Sequence, residues 1–241
     1  MGGTRACCAA MKLRLLFALM LLALAGIAPA SAQQREHVIV SGGVSLFQWE
    51  KFKAEPHDRW WLNFIRAARI RIQQLRESDP NTRITWMVYA PAYRRRMVEE
   101  PVDAFGIIGS VRDAYGVRLI YFDKGTDVVD YLNQGQPRNR VKVASFEYFG
   151  HSNKACFMFD YSNEIDSGSK AWLHENELSR IRRGVFAPGA TAKSWGCHTG
   201  ESMSKKWRQA TGIRMEGAIG KTQYLTHELP ALSSVGGRWA R

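Results

Sequence analysis

The chain has 241 residues, of which 45% are hydrophobic and 11% aromatic. That composition excludes a disordered or low-complexity polypeptide and leaves room for one sizeable core or two small ones. The formal charge of +12 is a moderate surplus that suits anionic surfaces but singles out no partner, and no specific nucleic-acid partner is implied.

The first stretch reads as an address. Lys12 and Arg14 precede an apolar run, residues 15–27, that ends in Ala30-Ser31-Ala32. A basic start, a short apolar stretch and an A-x-A site mark a secretory signal peptide over residues 1–32, cleaved after Ala32. Met11 fits the start of such a segment better than Met1 does. The run is too short for a good membrane span and no second one follows, so the remainder is expected to be secreted or periplasmic, without a span. Cys7 and Cys8 leave with the signal, and Cys156 and Cys197 remain.

Residues 37–41 form a short apolar strand closed by a tight turn at Gly42-Gly43. Asp58 is placed to cap a helix over residues 59–76, with Trp61, Phe64, Ile65, Ala68, Ile72 and Leu75 as its buried stripe. Arg66, Arg69, Arg76 and Glu77 fall largely on the other side. Residues 82–89 make a second strand, and Arg94-Arg95-Arg96 after it is a candidate to draw anionic substrate to the sheet edge. Pro101 fits the first turn of a helix that carries Phe105, Ile108, Val111 and Tyr115 and ends at Gly116. A strand at 117–122, a short helix at 126–132, a polar loop at 135–140 and a strand at 141–149 follow. Residues 155–161 suggest a hairpin arm, and residues 173–183 a helix broken by Pro188-Gly189. A strand at 192–196, a helix at 201–211 and a last strand at 215–219 complete the order, with an irregular tail after His227.

Strands alternating with helices predict a single α/β domain over residues 33–241, a three-layer α/β/α sandwich with a mainly parallel sheet. Right-handed crossovers bring all strand ends to one edge. Two turns at that edge carry reactive side chains. The strand Phe146-Glu-Tyr-Phe runs into Gly150-His151-Ser152, and Lys193-Ser-Trp runs into Gly196-Cys197-His-Thr-Gly200. A thiol attacks as thiolate, and a neighbouring imidazole is the usual means of forming one near neutral pH. Parallel neighbouring strands lie about 4.8 Å apart, so a His151–Cys197 dyad is within reach at the carboxyl edge, where open α/β folds place their sites.

These two blocks, with the downstream helix and Thr211-Gly-Ile-Arg-Met-Glu-Gly-Ala-Ile-Gly220, resemble the caspase-like cysteine peptidases, a group that includes caspases, legumains and gingipains. The likeness covers most of residues 37–225. It implies a caspase-like fold and hydrolysis of peptide bonds in a peptide or protein substrate, without a cofactor or metal. It makes Cys197 the nucleophile and His151 its acid–base partner. The amides of Ser152 and Cys197 would hold the oxyanion. Ser152 stands where many members have Gly, which narrows the turn. Relatives differ in the side chain they prefer before the scissile bond, and Glu147, Asp160 and Glu201 are candidates for an acidic pocket.

Other readings stay open at this point. A Cys156–Cys197 disulfide would leave a catalytically silent binding domain. Gly150-His-Ser152-Asn-Lys154 begins like the nucleophile elbow of a serine α/β-hydrolase with His227 as base, but Lys154 replaces the closing Gly. A binding module for anionic surfaces would rely on the basic charge. Zinc on His151, Cys156, Cys197 and His198 lacks the paired ligand spacing.

Overall fold

The computed structural model describes residues 33–50, 60–162 and 169–240. The strands in chain order are β1 (Gln34–Ser41), β2 (Arg83–Tyr89), β3 (Arg118–Phe122), β4 (Val141–Phe149), β5 (His151–Ser152), β6 (Cys156–Asp160), β7 (Ala171–His174), β8 (Phe186–Ser194), β9 (Met215–Ile219), β10 (Thr222–Gln223), β11 (Ala231–Leu232) and β12 (Arg238–Ala240). The longer helices are α1 (Asn63–Ser78), α2 (Ala90–Glu99), α3 (Ala104–Tyr115), α4 (Gly125–Gln134) and α5 (Met203–Thr211). Residues 1–32, with the expected signal segment, and Asp58, the expected helix cap, lie outside the described residues.

Successive side chains of a strand point to opposite faces, and β1 and β2 are apolar on both. Val38, Val40 and Met87 enter one buried cluster, with Val128, Leu132, Met203 and Trp207 from α4 and α5. Ile39, Trp86 and Val88 enter another, with Phe64, Ala68, Ile72 and Ile108 from α1 and α3. Helices therefore cover both faces of the sheet, an α/β arrangement compatible with a three-layer sandwich. The sheet has seven strands in the order β12-β9-β8-β4-β1-β2-β3. All pairings are parallel except that of β9 with β12 at one edge. The winding reverses between β1 and β4, so the carboxyl ends of β4 and β8 open beside the switch point.

The amino end of β1 is locked by a buried charge. Glu36 is fully buried and pairs with Arg138 at 2.6 Å. It also accepts from Thr85 Oγ1 at 2.6 Å and Tyr131 Oη at 2.5 Å. Arg138 spends its other donors on the carbonyls of Leu132 and Tyr131. With every group matched, the pair ties β1, β2 and α4 together.

Several expected elements are redrawn. The helix expected from Arg59 begins at Asn63. The three arginines after β2 lie on α2, which starts at the strand end with Pro91 in its first turn. Arg96 is fully buried against Glu99, Glu100 and the Ser45 carbonyl, and Arg95 pairs with Asp160. Only Arg94 of the three is exposed, so two of the expected anion-drawing charges are spent internally. The helix expected over 173–183 is replaced by β7 and two short 3-10 turns, Glu175–Arg180 and Arg183–Val185. An i, i+3 spacing such as Leu178 to Ile181 suits a 3-10 turn as well as an α-helix, and antiparallel pairing with β6 takes the residues before it. Strand β8 runs through Pro188-Gly189 rather than starting after them. The tail expected to be irregular contributes β12 to the main sheet. No helix among the described residues is long and apolar enough to cross a membrane.

Candidate active site

Strands β4 and β8 are parallel neighbours, with Tyr148 opposite Ser194. The amide of Trp195 donates to the Tyr148 carbonyl at 2.9 Å, extending the pairing one residue further. The two turns that follow leave from the same rung and stay in contact. Ser152 Oγ donates to the Cys197 carbonyl at 2.7 Å. A Cβ on Gly196 would fall 2.1 Å from Ser152 Oγ and 2.8 Å from the Gly150 carbonyl, so close approach demands glycine there.

The histidine turn is held from three sides. Tyr148 Oη donates to the carbonyl of His151 at 2.6 Å, on a side chain buried in the core. The amide of Gly150 donates to Tyr224 Oη at 2.8 Å. His151 and Ser152 form β5, antiparallel to β6, with His151 opposite Met158. The half-buried imidazole stands edge-on to Phe64 at 5.1 Å and lies tilted against Tyr161, also at 5.1 Å. Two aromatic neighbours restrict its rotation.

The cysteine turn is held differently. The Thr222 amide donates to Cys197 Sγ at 3.4 Å, and the Thr222 carbonyl and hydroxyl oxygens lie 3.7 Å from the sulfur. Thr222 Oγ1 itself donates to the Trp195 carbonyl at 2.8 Å. His198, next in the chain, has a φ of 62°, in the left-handed region that costs a non-glycine residue about 1–3 kcal/mol. Its surroundings fix it there. Its amide donates to the Gly220 carbonyl at 2.8 Å, and Nδ1 lies 2.6 Å from Glu201 Oε1. The hydrogen bond from His198 holds the exposed Glu201 carboxyl below its usual range. Gly200 packs so closely on β9 that a Cβ would sit 2.6 Å from the Gly217 carbonyl. The helix expected to open near Glu201 starts at Met203, so the turn itself rather than a helix N-terminus holds the thiol.

The remaining candidates divide between one shared cavity and separate buried pairs. Cys156 and Cys197 are both free thiols. Cys156 lines a cavity of about 450 Å³ with His174, His198 and Glu201. Burial, reinforced by Glu175 and Glu177, pushes the Cys156 thiol up. Among the described residues no group of three or more His, Cys, Asp or Glu side chains is placed to hold a metal ion. Ser152 is followed by strand β6 rather than by the helix a nucleophile elbow requires, and His227 lines a different cavity, beside α1. Glu147 is buried against Arg71 at 2.6 Å and Trp195 Nε1 at 2.9 Å. Asp160 is buried against Tyr89 and Arg95. Neither offers a free carboxylate to a basic side chain, whereas Glu201 stands at a cavity wall. Sequence reading gave no site role to Thr222, Tyr148, Tyr161 or Tyr224. Tyr148 lies within the first motif block but its side chain was given no part there, and Thr222, Tyr161 and Tyr224 are brought to the turns only by the fold.

No family model, no curated protein and no solved structure matches this chain. Fold and geometry define an α/β domain in which a histidine turn and a cysteine turn pack together at the carboxyl edge of a parallel sheet.

Proposed function

We propose that the protein is an exported cysteine peptidase of caspase-like type, hydrolysing peptide bonds in peptide or protein substrates. The observation that carries this reading is the contact between the two turns, where Ser152 Oγ meets the Cys197 carbonyl at 2.7 Å. Half-burial of both His151 and Cys197 also supports it, since a substrate needs access to each.

In the proposed reaction His151 takes the thiol proton and Cys197 Sγ attacks the scissile carbonyl carbon. The amides of Cys197 and Ser152 carry the oxyanion. His151 then passes its proton to the leaving nitrogen, the C–N bond breaks, and a thioester remains on Cys197. Water, losing a proton to His151, attacks the thioester. The new carboxylate departs and the thiol is restored. No cofactor enters the scheme.

A peptide-library cleavage assay on wild type, Cys197→Ala and His151→Ala tests this reading. Cleavage by the wild type and a loss of at least about a hundredfold in each variant are expected, the scale on which acid–base partners act. Equal cleavage by all three proteins would dispose of the mechanism.

A further inference from the structure

A second cavity, of about 300 Å³, lies between α1 and α3, and none of its lining residues belongs to either turn. Helix α1 shows the sheet one face, with Phe64, Ala68 and Ile72, and turns another toward α3. On that second face Ile65, Arg66 and Arg69 recur at helical spacing, with Leu62 just before the helix. With Ile107 and Val111 of α3 and Trp60, they give the cavity an apolar floor and a basic rim.

The two arginines differ from others in the chain. Arg71, Arg95, Arg96 and Arg138 each meet a carboxylate. Among the described residues, none pairs with Arg66 or Arg69. The Arg66 guanidinium lies 3.9 Å over the Trp60 ring, and its Nε is buried without a hydrogen-bond partner. Arg69 reaches only neutral acceptors, Gln73 Oε1 at 3.5 Å and Tyr115 Oη at 3.3 Å. Burial and the neighbouring Arg69 pull the Arg66 pKa down, as expected of a cation short of a counter-charge.

Two guanidiniums one turn apart suit a carboxylate, and the floor beside them suits an apolar side chain. Trp60 and Ile107 remain 42% and 41% exposed at the mouth, so the complementary molecule extends past the cavity. A chain meets that condition and a small acid does not. We infer that this cavity is a recognition site for a peptide chain ending in an apolar residue, whose free α-carboxylate is held by Arg66 and Arg69.

Fluorescence anisotropy on the full-length protein tests the inference, with fluorescein-labelled Gly-Ser-Gly-Ala-Phe as probe. Running it on Cys197→Ala beside the wild type separates binding from any cleavage that would consume the probe. The free-carboxylate peptide is expected to bind saturably. C-terminal amidation, a terminal Gly in place of Phe, and Arg66→Gln or Arg69→Gln should each weaken binding at least about tenfold, the scale of a lost charge-assisted hydrogen bond. The melting temperature reports whether the arginine variants remain folded, and Ile107→Asp offers an independent surface change with the same expected loss. Equal binding of the amidated peptide, no binding by wild type, or unchanged affinity in the arginine variants overturns the inference. Binding of decanoate without binding of the peptide also overturns it, in favour of a lipid acid.

Discussion

The two rims of the central sheet are built on opposite terms. At the amino rim Glu36 and Arg138 are buried and matched by short bonds at 2.5 to 2.6 Å around the carboxylate. At the carboxyl rim the sulfur of Cys197 has its partners among the described residues at 3.4 to 3.7 Å, on a half-buried turn with a residue at positive φ. One rim matches a buried carboxylate and its guanidinium with short bonds and holds strands together. The other fixes the backbone of its turns firmly while leaving the imidazole and the thiol accessible. On the proposed reading, stability and reactivity are thus assigned to opposite rims of one sheet, the first on β1 and β2 and the second after β4 and β8.

The largest effect is expected at the amino rim. Arg138→Leu leaves Glu36 charged and unpaired in the core, and a loss of about 3–5 kcal/mol is expected in chemical denaturation. Peptide cleavage well below the unfolding midpoint should be nearly unchanged. Cys197→Ala and His151→Ala should show the reverse pattern. Their losses of at least about a hundredfold in cleavage amount to about 2.7 kcal/mol in the barrier, with little change in melting temperature. Gly196→Ala probes the joint between the turns. Its methyl group collides with Ser152, so a destabilisation of about 1–3 kcal/mol with slower cleavage is expected, readable by melting and kinetics together.

The smallest effect concerns pH and the sheet between the rims. His37 Nδ1 lies 2.7 Å from Ser145 Oγ. Burial first, then Arg71, lowers its pKa, with Arg35 in the same direction and Glu147 and Asp79 opposing. The folded chain therefore favours neutral His37, whereas the unfolded chain takes up a proton near the ordinary histidine value. Stability from this group is present above that value and is lost as pH falls through the depressed one. Melting temperature should decline as pH is lowered from 7 to 5, and the decline should be shallower in His37→Gln. Identical slopes in the two proteins would remove His37 from the account.

Much of the sheet was legible because its strands are apolar on both faces. The residues of β4 and β9 match the expected ranges, and the stripe from Trp61 to Leu75 is buried as its spacing requires. The edge strand β12 was not legible, since Arg238-Trp-Ala becomes a strand only by pairing with β9. The burial of Arg96 depends partly on the Ser45 carbonyl, far away in sequence, and a run of three arginines gives no hint of it. At the candidate site the two glycine turns announced themselves. Thr222 and the aromatic neighbours of His151 did not, because their roles come from packing between distant segments.

Iodoacetamide labelling of each cysteine, followed across pH by peptide mass spectrometry in wild type and His151→Ala, reads whether His151 activates the Cys197 thiol. Cys197 is expected to react faster than Cys156, whose thiol is pushed up by burial, and to slow at least about tenfold without the imidazole. Equal rates at the two cysteines, or a Cys197 rate indifferent to His151, would contradict that activation.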